Sequence, residues 1–217
     1  MNIGVLASGS GSNLQSIIDH RDRGLLDANI KVVVSNNPDA YALKRSEKHG
    51  IPTVVIRHED FRDREEFDRR VIEILNDHEV ELVVLAGFMR VITRVLLNAF
   101  PMKIMNIHPA LLPAFPGIHA QQRAVEYGVK FSGCTVHFVD EGVDTGPVII
   151  QSVVPVHDDD TEEILAARIL SEEHRIYPQA IQFYAKGKIE ITGRKVRIRD
   201  GGKSRESAMH NPSLADF

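Results

Sequence analysis

Residues 3–18 read IGVLASGSGSNLQSII, an apolar run that passes through a glycine–serine loop into a helical pattern. The run from Ile3 to Leu6 is apolar without alternation, as in a strand that helices cover on both faces. Glycine permits a sharp turn, and the free backbone amides at a helix start attract anions. The order of strand, glycine loop and helix predicts either an anion-binding loop or a plain structural turn, and the setting favours the anion.

The same alternation of strand and helix continues through the first half of the chain. Apolar, β-branched runs stand at 31–34, 52–56 and 82–86, and helical patterns separate them. This order is typical of βαβ units. The sequence therefore predicts an α/β fold with a mostly parallel, doubly wound, Rossmann-like sheet flanked by helices.

The second half changes in pattern. Residues 133–139 alternate between polar and apolar faces, and 147–154 read as one further extended segment. A long helix is expected to start near Asp160, which has capping-box spacing to Glu163. Pro178 should kink or split that helix, because proline lacks the amide hydrogen that a helix interior needs.

The end of the chain reads as a short hairpin and a tail. Two extended runs, 188–191 and 195–198, flank Thr192-Gly193-Arg194 and predict a terminal hairpin. From Gly201 on, polar and small residues dominate, so we expect a frayed tail.

Composition excludes several classes of protein. The chain has 217 residues, with 26 Lys and Arg against 30 Asp and Glu, and the net charge of −4 argues against a duplex nucleic-acid binder. The single cysteine, Cys134, cannot form an internal disulfide. No export signal is visible, and no run approaches the roughly 18 consecutive apolar residues of a spanning helix. We expect a cytoplasmic protein without a nucleic-acid or membrane partner.

A second motif follows a strand expected around 103–105. Asn106 and His108 are two residues apart, so their side chains share a face if the backbone is extended. A carboxamide beside an imidazole can stabilise an oxyanion and supply a proton, although such pairs are often only hydrogen-bonding loop residues. Prolines at 109, 113 and 116 restrict the next segment and predict a rigid loop.

A third motif, residues 140–147, reads Asp-Glu-Gly-Val-Asp-Thr-Gly-Pro between two expected strands. Carboxylates among glycines are typical of turns, and the spacing lacks the EF-hand pattern. Because no cluster of His and Cys has zinc-ligand spacing either, we expect no metal. The loop is either a solvated turn or a turn whose carboxylate folds back toward His108 as an imidazolium partner.

Together and in this order, the motifs resemble those of the phosphoribosylglycinamide formyltransferases, folate-dependent enzymes of purine synthesis. The resemblance runs from Met1 to about Gly187 and includes Glu172-Glu173-His174-x-Ile176-Tyr177-Pro178. It implies a formyltransferase fold and transfer of the formyl group of 10-formyltetrahydrofolate to the amine of glycinamide ribonucleotide. Both substrates are small molecules, and the resemblance implies no metal.

The resemblance also implies a role for each matching residue. Asn106 and protonated His108 would stabilise the oxyanion of a tetrahedral intermediate, and Asp144 would keep His108 charged and help relay protons. The positions implied for glycinamide ribonucleotide are Gly11, Ser12 and Asn13, at its phosphate, and Glu173, at its ribose. The positions implied for folate are Arg64, Met89, Arg90, Val91, Ile92, Asn106, Asp140, Glu141, Gly142 and Val143.

The expected organisation is a catalytic domain over 1–192, with the nucleotide in its N-terminal half and the folate in its C-terminal half. An extension over 193–217 would follow, and the protein would be a monomer or a homodimer. One departure is Ala110, where serine is more usual in the family, and the change removes one possible contact near the nucleotide.

Two alternatives stay open beside the transferase. Formyltetrahydrofolate hydrolases share the Asn-x-His and Asp site but carry a further domain before it, and methionyl-tRNA formyltransferases carry one after it. With a first strand at residue 3 and 25 residues after Thr192, we expect neither module. A non-catalytic nucleotide- or folate-binding protein would need the glycine loop but not Asn106, His108 and Asp144 together.

Overall fold

A computed structural model describes residues 1–201 together with residues 209 and 211. The strands are β1 (Asn2–Leu6), β2 (Asn29–Ser35), β3 (Thr53–Val55), β4 (Leu82–Leu85), β5 (Ile104–His108), β6 (Phe131–Phe138), β7 (Val148–Pro155), β8 (Ile189–Thr192) and β9 (Lys195–Ile198). The helices are α1 (Ser12–Asp22), α2 (Tyr41–Lys48), α3 (Arg64–Asp77), α4 (Arg94–Ala99), α5 (Ala120–Tyr127) and α6 (Glu162–Ala185). Among these described residues, no helix is long and apolar enough to cross a membrane.

Seven strands form the central sheet in the order β3-β2-β1-β4-β5-β6-β7. The pairs from β3 to β5 are parallel, whereas β6 runs antiparallel to both β5 and β7. The prediction of a mostly parallel, doubly wound sheet is therefore confirmed. The order reverses between β1 and β4, and ligands of such sheets bind beyond the carboxyl ends of the strands at this point.

Apolar side chains on the two faces of the sheet enter two separate cores. In β2, Val33 belongs to one core with α1 and α6, while Val32 and Val34 belong to the other with α3 and α4. Neighbouring side chains of a strand point to opposite faces, so a run of valines fills both cores at once. This explains why the strands show no alternation in the sequence.

Helix α6 starts near Asp160, as predicted, but the capping role that the spacing gave to Asp160 is wrong. Thr161, not Asp160, caps the helix, and its hydroxyl accepts the amide hydrogen of Ile164 at 3.4 Å. The carboxylate of Asp160 instead accepts two hydrogen bonds from Arg168, at 2.5 and 2.8 Å. Two N–H groups of the Arg168 guanidinium bind both oxygens of the Asp160 carboxylate, which a single backbone amide cannot do. Asp160 therefore pairs with Arg168 and does not cap the helix.

Of the two effects expected of Pro178, a kink or a split, the split does not occur, because α6 continues through the proline to Ala185. The residues around the proline are buried against the sheet. The Tyr177 hydroxyl donates to the carbonyl oxygens of Leu85 and Met105, at 2.8 and 3.0 Å. Packing and these hydrogen bonds offset the one helical hydrogen bond that proline removes.

At the end of the chain, β8 and β9 pair in antiparallel register, as the two runs around residues 192–194 predicted. The division expected at residue 192 falls at the end of β8. The frayed tail expected from Gly201 on lies outside the described residues, apart from Met209 and Asn211. The side chain of Asn211 donates to the carbonyl oxygens of Lys130 and Val156.

Replacing Tyr177 with phenylalanine should destabilise the fold. The change removes the hydroxyl that joins α6 to β4 and β5 and leaves two buried carbonyls one donor short, which costs about 1–2 kcal/mol. Urea unfolding should show a lower midpoint with an unchanged slope. The control is Tyr184→Phe, because the hydroxyl of Tyr184 has no hydrogen-bond partner in the described part of the chain. Equal midpoints for the two variants would contradict the role of Tyr177.

Candidate functional site

The antiparallel pairing of β5 with β6 brings four polar side chains to one face of the sheet. Asn106 lies opposite His137, and His108 lies opposite Thr135. Directly opposed residues of neighbouring strands point to the same face. His108 and His137 are both buried. Strand β5 extends beyond the strand predicted around 103–105 and includes Asn106 and His108. The side chains of these two residues share a face, as their spacing predicted.

The carboxylate of Asp144 lies at the centre of this cluster. One oxygen is 3.2 Å from Nδ1 of His108 and accepts the amide hydrogen of Gly117 at 2.8 Å. The other oxygen accepts a hydrogen bond from Nδ2 of Asn106 at 3.4 Å and lies 3.6 Å from Nε2 of His137. Of the two interpretations of the loop, the structure has the carboxylate folded back onto His108 and largely buried, with 12% of the side chain exposed.

The loop that carries Asp144 has an unusual backbone. Asp144 has a φ of 56°, in the left-handed region, which costs about 1–3 kcal/mol for a residue other than glycine. A Cβ atom at Gly146 would lie 1.8 Å from the carbonyl oxygen of Phe138, so only glycine fits there. The surrounding structure therefore has to hold this loop against the end of β6.

The contacts of Asp144 fix its charge. Burial acts to raise the pKa of this carboxyl, but the hydrogen bond from the Gly117 amide and the charge of His108 favour the ionised form, and the pKa stays below its usual value. Asp144 is therefore ionised at neutral pH.

His108 balances two opposing effects. Burial lowers its pKa and outweighs the attraction of Asp144 and the carbonyl of Phe115, which both favour the charged form. Its Nε2 lies 2.8 Å from that carbonyl oxygen, so both ring nitrogens face acceptors. The imidazolium satisfies both contacts, whereas the neutral ring can satisfy only one. The site thus provides an acceptor for each N–H group of a protonated His108, whose positive charge burial alone would disfavour.

His137 is a residue of the site that the sequence did not reveal. Its Nδ1 lies 2.8 Å from the carbonyl oxygen of Phe138, which can only accept, so we assign the proton to Nδ1. Nε2 then accepts a hydrogen bond from Nδ2 of Asn106 at 3.3 Å and orients that carboxamide. The alternation of β6 put His137 on one face with Thr135, but the partner strand was needed to place it beside Asn106.

The proline-restricted segment between β5 and α5 is a loop that Thr135 fixes in place. The Thr135 hydroxyl donates to the carbonyl oxygen of Ala110 at 2.7 Å and accepts the amide hydrogen of Leu112 at 3.1 Å. Held in this way, the loop presents the Phe115 carbonyl to His108 and the Gly117 amide to Asp144. Ala110, the departure from the family pattern, is fully buried.

The glycine–serine loop and α6 meet at a second polar cluster. Gly11 has a φ of 69°, and a Cβ atom there would lie 2.7 Å from Ala42. No side chain caps α1, so its first amides are available to an anion. Nδ2 of Asn13 donates to Glu173 at 2.7 Å, and burial raises the pKa of that carboxyl. The structure thus brings Gly11, Ser12, Asn13 and Glu173 together.

One cation beside this loop was missed. Nε of Arg45, on α2, donates to the carbonyl oxygen of Ser10 at 2.9 Å, and its Nη1 donates to the Gln15 side chain at 3.2 Å. The sequence showed Arg45 only as one charge in a helical pattern, since its contact depends on how α2 packs beside α1.

Apart from Asn106, the residues expected to contact folate divide between four places. A cleft of about 710 Å³ has Arg64, Val91, Ile92 and Glu141 in its lining. Met89 instead lines a separate cleft of about 500 Å³ with Ser8. The guanidinium of Arg90 lies over the ring of Phe67, at 4.6 Å from its centre. Asp140, Gly142 and Val143 lie in the loop that leads to Asp144.

Nothing in the described ranges forms a group of three or more His, Cys, Asp or Glu side chains that could hold a metal ion. The arrangement instead offers a buried acid–imidazole pair with a carboxamide beside it. Such a site can stabilise a developing oxyanion and move protons.

Known proteins are similar to this chain over most of its length. The family profile described as formyl transferase matches residues 1–181. The trifunctional purine biosynthetic protein adenosine-3 of Drosophila melanogaster is 46% identical over 187 residues, and the match spans 85% of this chain but only 14% of that protein. The phosphoribosylglycinamide formyltransferase of Escherichia coli (strain K12) is 41% identical over 191 residues, which span 88% of this chain and 90% of that protein.

Solved structures agree with the sequence relatives. The crystal structure of glycinamide ribonucleotide transformylase 1 from Symbiobacterium toebii superposes with a TM-score of 0.91 at 50% identity. The superposition covers 92% of this chain and 94% of that one. The similarity therefore extends over most of the fold.

Replacing Asp144 with asparagine should lower the pKa of His108 further. The carboxylate is the largest influence that favours the imidazolium, and its loss leaves the burial effect less opposed. The pKa is measured by following the His108 ring carbon by NMR across pH. The control is Asp77→Asn, an exposed carboxylate at the end of α3. An unchanged His108 titration in the Asp144 variant would show that the pair is not electrostatically coupled.

Proposed function

The chain belongs to the formyl transferase family, and we propose that it transfers the formyl group of 10-formyltetrahydrofolate to the amine of glycinamide ribonucleotide. The products are formylglycinamide ribonucleotide and tetrahydrofolate, in the synthesis of purines. The observation that carries the proposal is the buried cluster of Asn106, His108 and Asp144 at the carboxyl end of the sheet. The two polar clusters and the 710 Å³ cleft support two substrates that meet there.

The reaction needs a stabilised oxyanion. The amine attacks the formyl carbon, and the carbonyl oxygen takes up the negative charge of a tetrahedral intermediate. Both contacts of Asn106 Nδ2, at 3.3 and 3.4 Å, are long, so an oxyanion can compete for one of its N–H groups. Both nitrogens of His108 face acceptors, which favour the imidazolium against the opposing effect of burial, and in that protonated form His108 stabilises the oxyanion through its positive charge.

Protons must then move from one substrate to the other. The new carbon–nitrogen bond forms at the amine, the bond from the formyl carbon to the folate nitrogen breaks, and a proton passes from the amine to that nitrogen. Asp144 is ionised and touches His108, so its negative charge favours the imidazolium, and we assign to the same carboxylate a part in relaying the proton from the amine to the folate nitrogen. No covalent enzyme intermediate is required.

The second polar cluster, at the glycine–serine loop, suits the ribonucleotide. We assign its phosphate to the free amides of Gly11, Ser12 and Asn13, and its ribose to the carboxyl of Glu173. Arg45 adds a positive charge beside this loop. The chain's net charge of −4 does not prevent an anionic substrate from binding here, because the electrostatic potential at the loop is set mainly by the charged and polar groups beside it.

The 710 Å³ cleft suits the folate. Val91 and Ile92 offer an apolar wall, and the guanidinium of Arg64 offers a partner for the carboxylates of a folate tail. We assign Asp140, Glu141, Gly142 and Val143 to the rim around the pterin. We assign Met89 and Arg90 to the chain segment that leads into Val91 and Ile92.

The enzymatic proposal is tested by mixing the purified protein with both substrates and detecting formylglycinamide ribonucleotide by mass spectrometry. We expect product only when both substrates are present. Release of formate without glycinamide ribonucleotide would instead indicate a formyltetrahydrofolate hydrolase. Binding of either ligand without turnover would indicate a non-catalytic binding protein.

Asp144→Asn and Asn106→Ala should each reduce kcat strongly. The first removes a charge that stabilises the imidazolium, and the second removes an oxyanion donor, and losses of about 10²–10³-fold are typical for such groups. Both substitutions leave buried partners without a hydrogen bond and should lower the urea midpoint somewhat, so kcat is measured well below the unfolding transition of each variant. Asp77→Asn is the matched control. Turnover near the parent value in either site variant would refute its assigned role.

Arg45→Ala should raise the KM for glycinamide ribonucleotide by about three- to tenfold, the effect of losing one contact that supports anion binding. The KM for the folate should not change, since the 710 Å³ cleft does not include Arg45. Lys44→Ala removes the neighbouring positive charge and serves as the control. A rise in both KM values together would argue against a local effect at the phosphate loop.

A further inference from the structure

The terminal hairpin of β8 and β9 reaches the loop that carries Asp144. Ile189 and Val196 pack against the core, and β9 lies beside β7. The turn between the two strands then places Arg194 over residues 140–145. Its Nη2 donates to the carbonyl oxygen of Thr145 at 2.5 Å, and its Nη1 lies 3.9 Å from a carboxylate oxygen of Asp140.

Asp140 in turn closes this loop on itself. One of its carboxylate oxygens accepts hydrogen bonds from the Thr145 hydroxyl at 2.5 Å and from the Gly142 amide at 3.2 Å. Arg194 therefore contacts both ends of the same turn, the carboxylate at its start and the carbonyl at its end. On the other side of the loop, Arg94 binds Glu141 at 2.7 Å.

The contact to Thr145 matters because of its place in the chain. Thr145 directly follows Asp144, whose left-handed backbone conformation requires outside support. The Thr145 carbonyl belongs to the peptide that joins Thr145 to Gly146. Holding it, together with the hydrogen bond of the Thr145 hydroxyl to Asp140, fixes Thr145 at both its side chain and its backbone and so restricts the backbone of Asp144 one residue before it.

We propose that Arg194 is a positioning residue, which holds the loop 140–145 so that the Asp144 carboxylate stays against His108. The kinetic part of the proposal rests on the formyl transfer proposed above. Arg194 lies beyond residues 1–181, the part of the chain that the family profile matches. The hairpin thereby gains a function that neither its fold nor the family motifs assign to it.

The effect expected of Arg194 is geometric more than electrostatic. Its side chain is 72% exposed, and exposed ion pairs contribute little in water. A directed hydrogen bond to one carbonyl, by contrast, restricts the backbone whether or not the surrounding charge is screened. The consequence should therefore appear in the behaviour of Asp144 and His108 and not in the overall stability.

The test compares Arg194→Ala with Lys195→Ala, which removes the next positive charge of the same hairpin. Lys195 is exposed, and its side chain makes no hydrogen bond or ion pair within residues 1–201. Amide hydrogen exchange of Gly142 and Asp144, and the NMR titration of His108, are measured on the free proteins. We expect faster exchange and a lower His108 pKa in Arg194→Ala alone, with equal melting temperatures.

Kinetics give the second readout. Arg194→Ala should lower kcat about fivefold, as expected for one lost hydrogen bond, while the KM for glycinamide ribonucleotide stays unchanged. Arg194→Lys should recover part of the loss, because an ammonium can reach the carbonyl but cannot bind both partners. Identical exchange, titration and kcat in the Ala variants at 194 and 195 would overturn the proposal.

The two proposals fail in different ways. A parent protein without turnover would refute formyl transfer, yet exchange and titration would still decide whether Arg194 positions the loop. A parent with full turnover and an Arg194→Ala variant that matches it in all three measurements would refute only the positioning role.

Discussion

The buried carboxylate of Asp144 is the group on which the rest of the site depends. A buried charge is costly unless it is paired and hydrogen-bonded, and Asp144 meets this condition with His108, Asn106 and the amide of Gly117. These partners lie on β5 and in the loop that follows it, whereas Asp144 lies in the loop after β6. The buried carboxylate is stable only when these groups surround it. The contacts that stabilise Asp144 are therefore the same contacts that hold the residues of the site together.

The sheet explains why those segments meet. Parallel strands deliver the glycine loop after β1 and the Asn106–His108 pair of β5 to the same edge, where the strand order reverses. The switch to antiparallel pairing at β6 then adds His137 and Thr135 to the face of Asn106 and His108. A wholly parallel sheet would place other residues of β6 opposite this pair.

Helix α6 connects the two polar clusters. Its Glu173 binds Asn13 of the glycine loop, and one turn later Tyr177 binds the carbonyl oxygens of β4 and β5. A proline in the middle of the helix is tolerated because these contacts hold the helix just before it, and Ala180 and Ile181 pack into the core just after it. The proposed nucleotide site and the proposed reaction centre thus share one rigid support.

The sequence by itself determined the fold class, the glycine loop, the proline-restricted loop and the shared face of Asn106 and His108, because local spacing and backbone preference decide each of them. Only the tertiary structure decided that Asp144 folds back onto His108, that His137 orients Asn106, and that Asp160 binds Arg168 instead of capping α6. It also placed Arg194 against the loop of Asp144, across 49 residues of chain. These contacts join distant segments, and their partners are chosen by strand pairing and burial, which no local pattern encodes.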